Sequence, residues 1–211
     1  MAAPLRVVVL NPLPSYQPYR DERAVAERLG ASFHAEPGRR GLSSQTLGVV
    51  GVGRIGRALG RKAAVLGMRV LGNDPLLDAP PSDFPGPLVP LSALLEQSDY
   101  VSLHAPLLPT SRNLIGADQL SRMKPTAFLI NCARGALVDE TALVRALEAH
   151  LIAGAALDVR VQEPTPPGDR LVGRQDVLVT PHAAAFTIDA IRDLRALVVE
   201  YVREALAGVA A

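Results

Sequence analysis

Residues 45–56 read QTLGVVGVGRIG. The first half, through Val49 and Val50, is a short apolar run of the kind that forms a buried strand. The second half spaces three glycines as Gly51-x-Gly53-x-x-Gly56 and continues without turn signals into a helical pattern. A strand that enters a glycine turn and then a helix is the arrangement that holds a dinucleotide pyrophosphate. Each glycine has its own task. Gly51 allows the tight turn, Gly53 lets backbone approach the pyrophosphate with no side chain between, and Gly56 lets helix and sheet pack closely. The helix directs free N–H groups and its positive dipole end at the phosphates, so the backbone at Arg54 and Ile55 is expected to touch them.

Working outward, a second apolar run at 69–73 leads to Asp74, 18 residues beyond Gly56. That is close to the spacing at which a carboxylate accepts hydrogen bonds from an adenosine ribose. A carboxylate there repels a 2′-phosphate, and Pro75, Leu76 and Leu77 follow it instead of an arginine. NAD is expected in preference to NADP. The side chains of Arg54, Arg57, Arg61 and Lys62 read as a solvated helix face.

The alternation continues down the chain. Strands are expected at 47–51, 69–73, 100–104, 127–131, 154–158 and 177–180, with helices at 54–66, 91–97, 117–122 and 140–150. Short, wholly apolar strands separated by helices imply a parallel sheet covered on both faces. The expected class is a doubly wound, Rossmann-type α/β fold. Before it, 5–10 reads as a strand, 21–29 as a helix, and 34–45 as a loop and domain boundary. After it, 188–206 carries Ile188, Ile191, Leu194, Val198, Tyr201 and Leu206 at helical spacing, an amphipathic helix in need of a surface. The expected division is an N-terminal α/β appendage at 1–41, the nucleotide-binding domain at 42–185 and the C-terminal helix at 186–211. The proline-rich segment 78–90 reads as a surface loop.

Composition narrows the function classes. Over 211 residues, 48% hydrophobic and 20% charged content describe a globular chain, not a disordered one. A net charge of +1 gives no pull toward nucleic acid or an anionic membrane, and no run is long enough to span a bilayer. Cys132 is the only cysteine, which excludes an internal disulfide and a multi-cysteine zinc site. A cytoplasmic setting is the resulting expectation.

Chemistry-bearing residues gather in three later stretches: INCARGALVDE at 130–140, AALDVRVQEP at 155–164 and VTPHAAAFT at 179–187. Each ends an expected strand at the rim where open α/β sheets place ligands. In the order GxGxxG, NDP, NCARGxxVDE, LDVxxxEP and TPH, the chain resembles the D-isomer-specific 2-hydroxyacid dehydrogenases, which include phosphoglycerate dehydrogenases and hydroxypyruvate or glyoxylate reductases. The likeness runs from about residue 42 to 208 and includes SLHAPLLPTSRNLIG at 102–116.

The resemblance implies interconversion of a D-2-hydroxy acid and a 2-keto acid with NAD(H). It implies that Arg134 binds the substrate's carbonyl and carboxylate oxygens, that His182 is the general acid/base and that Glu163 partners it. It further implies Asp158 near the nicotinamide carboxamide, Pro106 beside the cofactor, Cys132 and Ala133 against its ring, and Arg134, His182 and Ala183 in contact with it. The residue types suit the reaction. Reducing a 2-keto acid moves hydride to carbon while oxygen takes up a proton, which requires a group titrating near neutrality. A neighbouring carboxylate raises a histidine's pKa and fixes its tautomer. A guanidinium matches the two substrate oxygens bidentately. Taken singly, Arg134 reads as a loop cation and Glu163 as a turn residue; their joint order with His182 favours function. Glu163 also separates the chain from formate dehydrogenases, which carry glutamine as the histidine's partner. His104 reads as a strand-end residue, His150 as a solvated helix terminus and His34 as a loop residue, and Cys132 as a packing residue.

The chain departs from the family pattern near its start. LRVVVLNPLP resembles the opening of the family's substrate lobe, yet within a few residues, about 35–41, the chain reaches LSSQTLG, which resembles the approach to the glycine turn. The middle of that lobe is expected to be absent. Two readings stay open: a dehydrogenase working with a partner subunit or a rearranged cleft, and a non-catalytic NAD-binding interaction or sensing module. A shortened lobe predicts an exposed apolar patch on 188–206 or oligomerisation, with a homodimer expected by analogy. No metal, nucleic-acid or membrane partner is expected.

Overall fold

The computed structural model describes residues 41–209, preceded by the backbone of two strands at 6–11 and 32–37, with side chains described from 41 to 206. The helix expected at 21–29 lies outside the described residues. β1 (Arg6–Asn11) and β2 (Ser32–Pro37) form a two-stranded parallel sheet of their own, with Arg6 opposite Ser32 and Asn11 opposite Pro37. The loop expected at 34–45 is corrected at its start, because residues 34–37 belong to β2. A strand of such mixed composition carries little local signal. Pairing with a strand distant in sequence makes it one.

From Thr46 the chain alternates strand and helix. The elements are β3 (Thr46–Val50), α1 (Arg54–Val65), β4 (Arg69–Asn73), α2 (Leu91–Gln97), β5 (Tyr100–Leu103) and α3 (Ala117–Arg122). They continue with β6 (Phe128–Asn131), α4 (Glu140–Glu148), β7 (Gly154–Leu157), β8 (Val177–Val179) and α5 (Ile188–Val209). Every strand and helix expected in this region is present, with small shifts at the ends. Strands β3 to β8 form one parallel sheet in the order β4-β3-β5-β6-β7-β8.

Parallel neighbours require crossovers, and the helices that make them bury their apolar faces in two cores. Val50, Leu71, Leu103 and Leu129 of the sheet share one core with Leu94, Leu120 and Leu143 of α2, α3 and α4. Leu47, Val49 and Val70 share the other with Ala63 of α1 and with Phe84. Val49 and Val50 fall in different cores because successive strand side chains face opposite ways. Each fully buried leucine stabilises the fold by about 1.5–3 kcal/mol relative to exposure.

The proline-rich segment does more than cross the surface. Gly72 N donates to Pro87 O at 2.9 Å and Val89 N to Gly72 O at 2.8 Å, so the segment adds a bridge beyond β4. Phe84 is buried where Gly60 and Gly72 leave room; a Cβ at either would lie 2.9 or 2.7 Å from its ring. The surface-loop expectation is corrected on this point, and the signal lay in distant glycines, not in the loop.

Strand order also makes the site. β4 lies on one side of β3 and β5 on the other, which opens a crevice at their C-terminal ends. α5 stands apart: every described side chain along it is exposed, Ile188, Leu194 and Leu206 among them. Its apolar face has no cover among the described residues. No described helix is long and apolar enough to cross a membrane.

Candidate active site

The sheet lays the expected residues in a row along one edge. Asp74 follows β4, the glycine turn follows β3, and Pro106 follows β5; Cys132, Ala133 and Arg134 follow β6, Asp158 follows β7 and His182 follows β8.

At the glycine turn, Gly51 has φ +92°, and a Cβ there would lie 2.6 Å from the Ala105 nitrogen. Conformation and space both demand glycine. At Gly56 a Cβ would come within 2.1 Å of the Gly51 carbonyl oxygen, the close helix-on-strand approach expected from the sequence. Gly53 differs, since nothing lies within 4 Å of its missing Cβ. Its bareness serves no internal contact; it leaves the start of α1, with exposed Arg54 and Ile55, open to a ligand. The first N–H groups of an α-helix lack intrahelical acceptors, so the opening offers donors and a dipole to an anion. Asp74 is tied to this turn: Oδ2 accepts from Val52 N at 2.9 Å and Oδ1 from Leu76 N at 3.1 Å. A carboxylate retains lone pairs for a further donor beyond these. The donor and acceptor set fits the adenosine diphosphate half of a dinucleotide.

Farther along the rim three loops converge. Asn131, buried at the end of β6, accepts from Ala133 N at 3.0 Å and donates to Arg134 O at 2.9 Å. These bonds shape the turn that exposes Arg134, whose guanidinium donates to Ala133 O at 2.6 Å. Gly135 is where two loops meet: a Cβ would lie 2.1 Å from the carbonyl carbon and oxygen of Arg160. Only glycine lets those backbones touch. The Arg160 amide donates to Glu163 Oε1 at 2.7 Å, and Glu163 Oε2 holds His182 Nδ1 at 2.8 Å. The His182 bond, then the Arg160 amide, hold the Glu163 carboxyl below its ordinary value. An ionised carboxylate only accepts, so Nδ1 carries the proton and Nε2 is free to exchange one.

Asp158 supports this arrangement from within, at 5% exposure. Its Oδ1 accepts from Thr180 Oγ1 at 2.5 Å and Ala183 N at 2.9 Å, and its Oδ2 from Ala184 N at 2.9 Å. Burial pushes its carboxyl upward, but the bonds from Thr180, Ala184 and Ala183 and the His182 charge outweigh burial and bring it below the ordinary value. Asp158 thus clamps the loop on both sides of His182, which stands at φ +54°. A side chain in that region is strained and persists where its surroundings over-determine it. The exposed Cys132 thiol is pushed up by partial desolvation and then by the Asp158 charge. Little thiolate forms near neutrality, as expected of a residue that is not a nucleophile, but its exposure corrects the expected packing role. His104 Nε2 meets Ser102 Oγ at 2.9 Å, and burial lowers its pKa.

Arg134, Glu163 and His182 line one cleft of about 270 Å³ with Leu107, Arg112 and Arg160. Gly51, Gly53 and Gly56, Asp74 and Pro106 occupy neighbouring strand ends and do not line it. Arg160 is buried and bonds Glu140 through Nε at 2.8 Å and Nη2 at 3.1 Å, and Asp169 through Nη2 at 2.9 Å. Sequence reasoning missed Arg112, Asn131, Gly135 and Arg160. Of these, only Gly135 carried a signal, a glycine directly after the candidate arginine. Among the described residues no group of His, Cys, Asp and Glu could hold a metal.

The family model for the NAD binding domain of D-isomer specific 2-hydroxyacid dehydrogenases matches residues 18–184. The chain belongs to this family. A glyoxylate reductase of Korarchaeum cryptofilum is 47% identical over 166 residues, covering 77% of this chain and 48% of that protein. The NAD complexed form of a family member from Lactobacillus delbrueckii ssp. bulgaricus superposes with a TM-score of 0.74 at 33% identity, over 81% of this chain and 55% of that one. A family member from Xanthobacter autotrophicus Py2, in complex with NADPH and MES, gives a TM-score of 0.73 at 34% identity, over 89% of this chain and 76% of that one. The chain spans about half the length of several curated relatives that it matches.

Proposed function

We propose that the chain binds NAD(H) at the glycine turn and that Arg134, Glu163 and His182 serve the interconversion of a D-2-hydroxy acid and a 2-keto acid. The observation that carries the reading is the 2.8 Å pair of Glu163 and His182 opening into the same cleft as Arg134. Bound nicotinamide supplies or takes up the hydride. Arg134 matches the carboxylate and carbonyl oxygens of the keto acid and stabilises the alkoxide as it forms. His182 Nε2 gives that oxygen its proton, and removes it in the reverse direction. Glu163 keeps Nδ1 protonated and offsets the imidazolium charge. Asp74, by repelling a 2′-phosphate, favours NADH over NADPH. At equal concentration NADH should raise the melting temperature more; the opposite order refutes that role for Asp74.

The test is NADH oxidation by the purified chain with glyoxylate, hydroxypyruvate, pyruvate and 3-phosphohydroxypyruvate. Turnover that vanishes in His182→Ala, with NADH still bound, supports the reading. Joint loss of turnover and NADH binding refutes the place given to His182. A second reading, a non-catalytic NAD-binding module, draws on the His182 side chain being 54% exposed. Exclusion of water and orientation of the reactants supply much of the rate in such a reaction. NADH binding with silence on all four keto acids selects that module. The uncovered apolar face of α5 supports a homodimer, which a monomeric mass by light scattering would refute.

A further inference from the structure

One residue joins the loops after β6 and β7 and reaches the loop after β8 through Glu163. The Arg160 amide donates to Glu163 Oε1 at 2.7 Å, and the other oxygen of that carboxyl holds His182 Nδ1. The Arg160 carbonyl packs on Gly135, beside Arg134, where a Cβ would lie 2.1 Å away. Its side chain is 3% exposed and runs to two carboxylates. Nε and Nη2 donate to Glu140 at 2.8 and 3.1 Å, and Nη2 donates to Asp169 at 2.9 Å.

Both carboxylates are themselves fixed. Glu140 opens α4, a few residues after the Arg134–Gly135 corner, and its Oε1 also accepts from Val161 N at 3.0 Å. Segment 134–140 thus grips residue 160 at both ends, backbone against Gly135 and guanidinium against Glu140. Asp169 Oδ1 accepts from Leu171 N at 2.9 Å and Val172 N at 3.2 Å, and Leu171 is buried in the core. Such a buried cluster adds little to stability that apolar residues of similar volume would not. Arg160 Nη1 even works against it, being buried with no hydrogen-bond partner among the described residues. What the cluster delivers is a fixed place for the Arg160 amide, and through it for the Glu163 carboxyl and the imidazole. A site group performs when its supports lock it in this way.

We infer that Arg160, held by Glu140 and Asp169, is a positioning residue. It sets the backbone at 160 so that Glu163 keeps His182 with its proton on Nδ1, leaving Nε2 to exchange the substrate's proton. This rests on the reading above, in which His182 is the acid/base. The guanidinium acts at one remove, through Glu163.

The test uses the full chain and two variants. Arg160→Met removes the hub, and Asp169→Asn slackens it from a residue that does not line the cleft. Both are measured at a temperature where circular dichroism shows them folded. The first readout needs no turnover. Ring 15N NMR of His182, assigned by its loss in His182→Ala, reports which nitrogen holds the proton at a pH where the ring is neutral. The unaltered chain should show the Nδ1–H form, and each variant should move toward the mixture of a free imidazole. The second readout is the NADH assay. In Arg160→Met kcat should fall about ten-fold or more, part of the roughly 10²–10⁴-fold that a well-placed acid supplies. Asp169→Asn and Arg160→Lys should lose less, since a lysine still reaches one carboxylate but lacks the fork that spans both. KM for the keto acid and Kd for NADH should hold steady.

An unaltered chain without the Nδ1–H form overturns the inference, as does an unmoved His182 signal in a folded variant. So does a raised KM with kcat intact, which would make Arg160 a substrate contact, or a lowered Tm with neither readout changed, which would make the cluster structural. If Arg160→Met does not fold, Asp169→Asn and Arg160→Lys decide by the same signals. The two proposals fail separately. A shifted His182 signal in a chain that oxidises no NADH keeps Arg160 and sinks the reaction; oxidation with an unmoved signal in the variants does the reverse.

Discussion

Replacing Asp158 by asparagine tests how the histidine loop is held. The carboxylate is buried, and its bonds run to Thr180 on one side of His182 and to Ala183 and Ala184 on the other. Asparagine keeps one acceptor oxygen, able to serve Thr180 and Ala183, but turns an NH2 toward the Ala184 N–H. One bond to a charged acceptor, about 1.5–3 kcal/mol, is lost, and buried donors left unmet add about 1–3 kcal/mol. A loss of about 2.5–6 kcal/mol lowers the melting temperature by about 5–24 °C in a chain of this size. Two further readouts separate this cause from a general loss of packing. The Asp158 charge helps hold the Cys132 thiol up, so Asp158→Asn should make Cys132 react faster with a disulfide reagent at fixed pH. The folded pKa of Asp158 is depressed. Its stabilisation is therefore full above the unfolded value near 3.9 and is lost as pH falls through the folded one. The gap in melting temperature between the two proteins should close at acid pH. A variant that melts within about 1 °C of the parent and leaves Cys132 unaltered would refute the clamp.

Three more expectations follow from the same geometry. Arg160→Met leaves Glu140 and Asp169 facing each other without their cation, which should cost about 3–5 kcal/mol and raise the Asp169 pKa, followed by carboxyl NMR. His182→Ala removes the largest cause that depresses the Glu163 carboxyl, so its titration should move up; a fixed Glu163 titration would mean the pair does not form in solution. Gly51→Ala must force φ +92° on alanine and meet Ala105 at 2.6 Å, whereas Gly53→Ala meets nothing. The first should unfold or strongly destabilise the chain. The second should change stability by no more than about 1 kcal/mol while weakening NADH binding in a fluorescence titration.

The elements of the main domain were legible from residue 46 onward because their signals are local. An apolar run bounded by turns makes a strand, and an unbroken helical pattern after the glycine turn makes a helix; Leu59 of that helix meets the core, while Ile55 and Leu66 are exposed. β2 escaped notice because SFHAEP has no pattern of its own and exists through its register with β1. Phe84 read as part of a loop because its socket is made by Gly60 and Gly72, on other elements. At the site, Arg134, Glu163 and His182 could be singled out by their order in the chain. Asn131 and Arg160 were not: Asn131 shapes its turn through bonds two and three residues along, a pattern not singled out in the sequence, and Arg160 is held by Glu140, 20 residues away, which only folding brings within reach.

By itself, then, the amino-acid order determined the glycine turn, the succession of strands and helices, and which side chains carry usable chemistry, all matters of residue type and near neighbours. Tertiary structure alone decided that loops after β6, β7 and β8 share one cleft, with Arg112 brought in from the loop after β5. It also decided that Gly135 is the point where two of those loops touch. The physical reason is that parallel strands pair with partners tens of residues away. Which loop ends beside which is a property of strand order across the sheet.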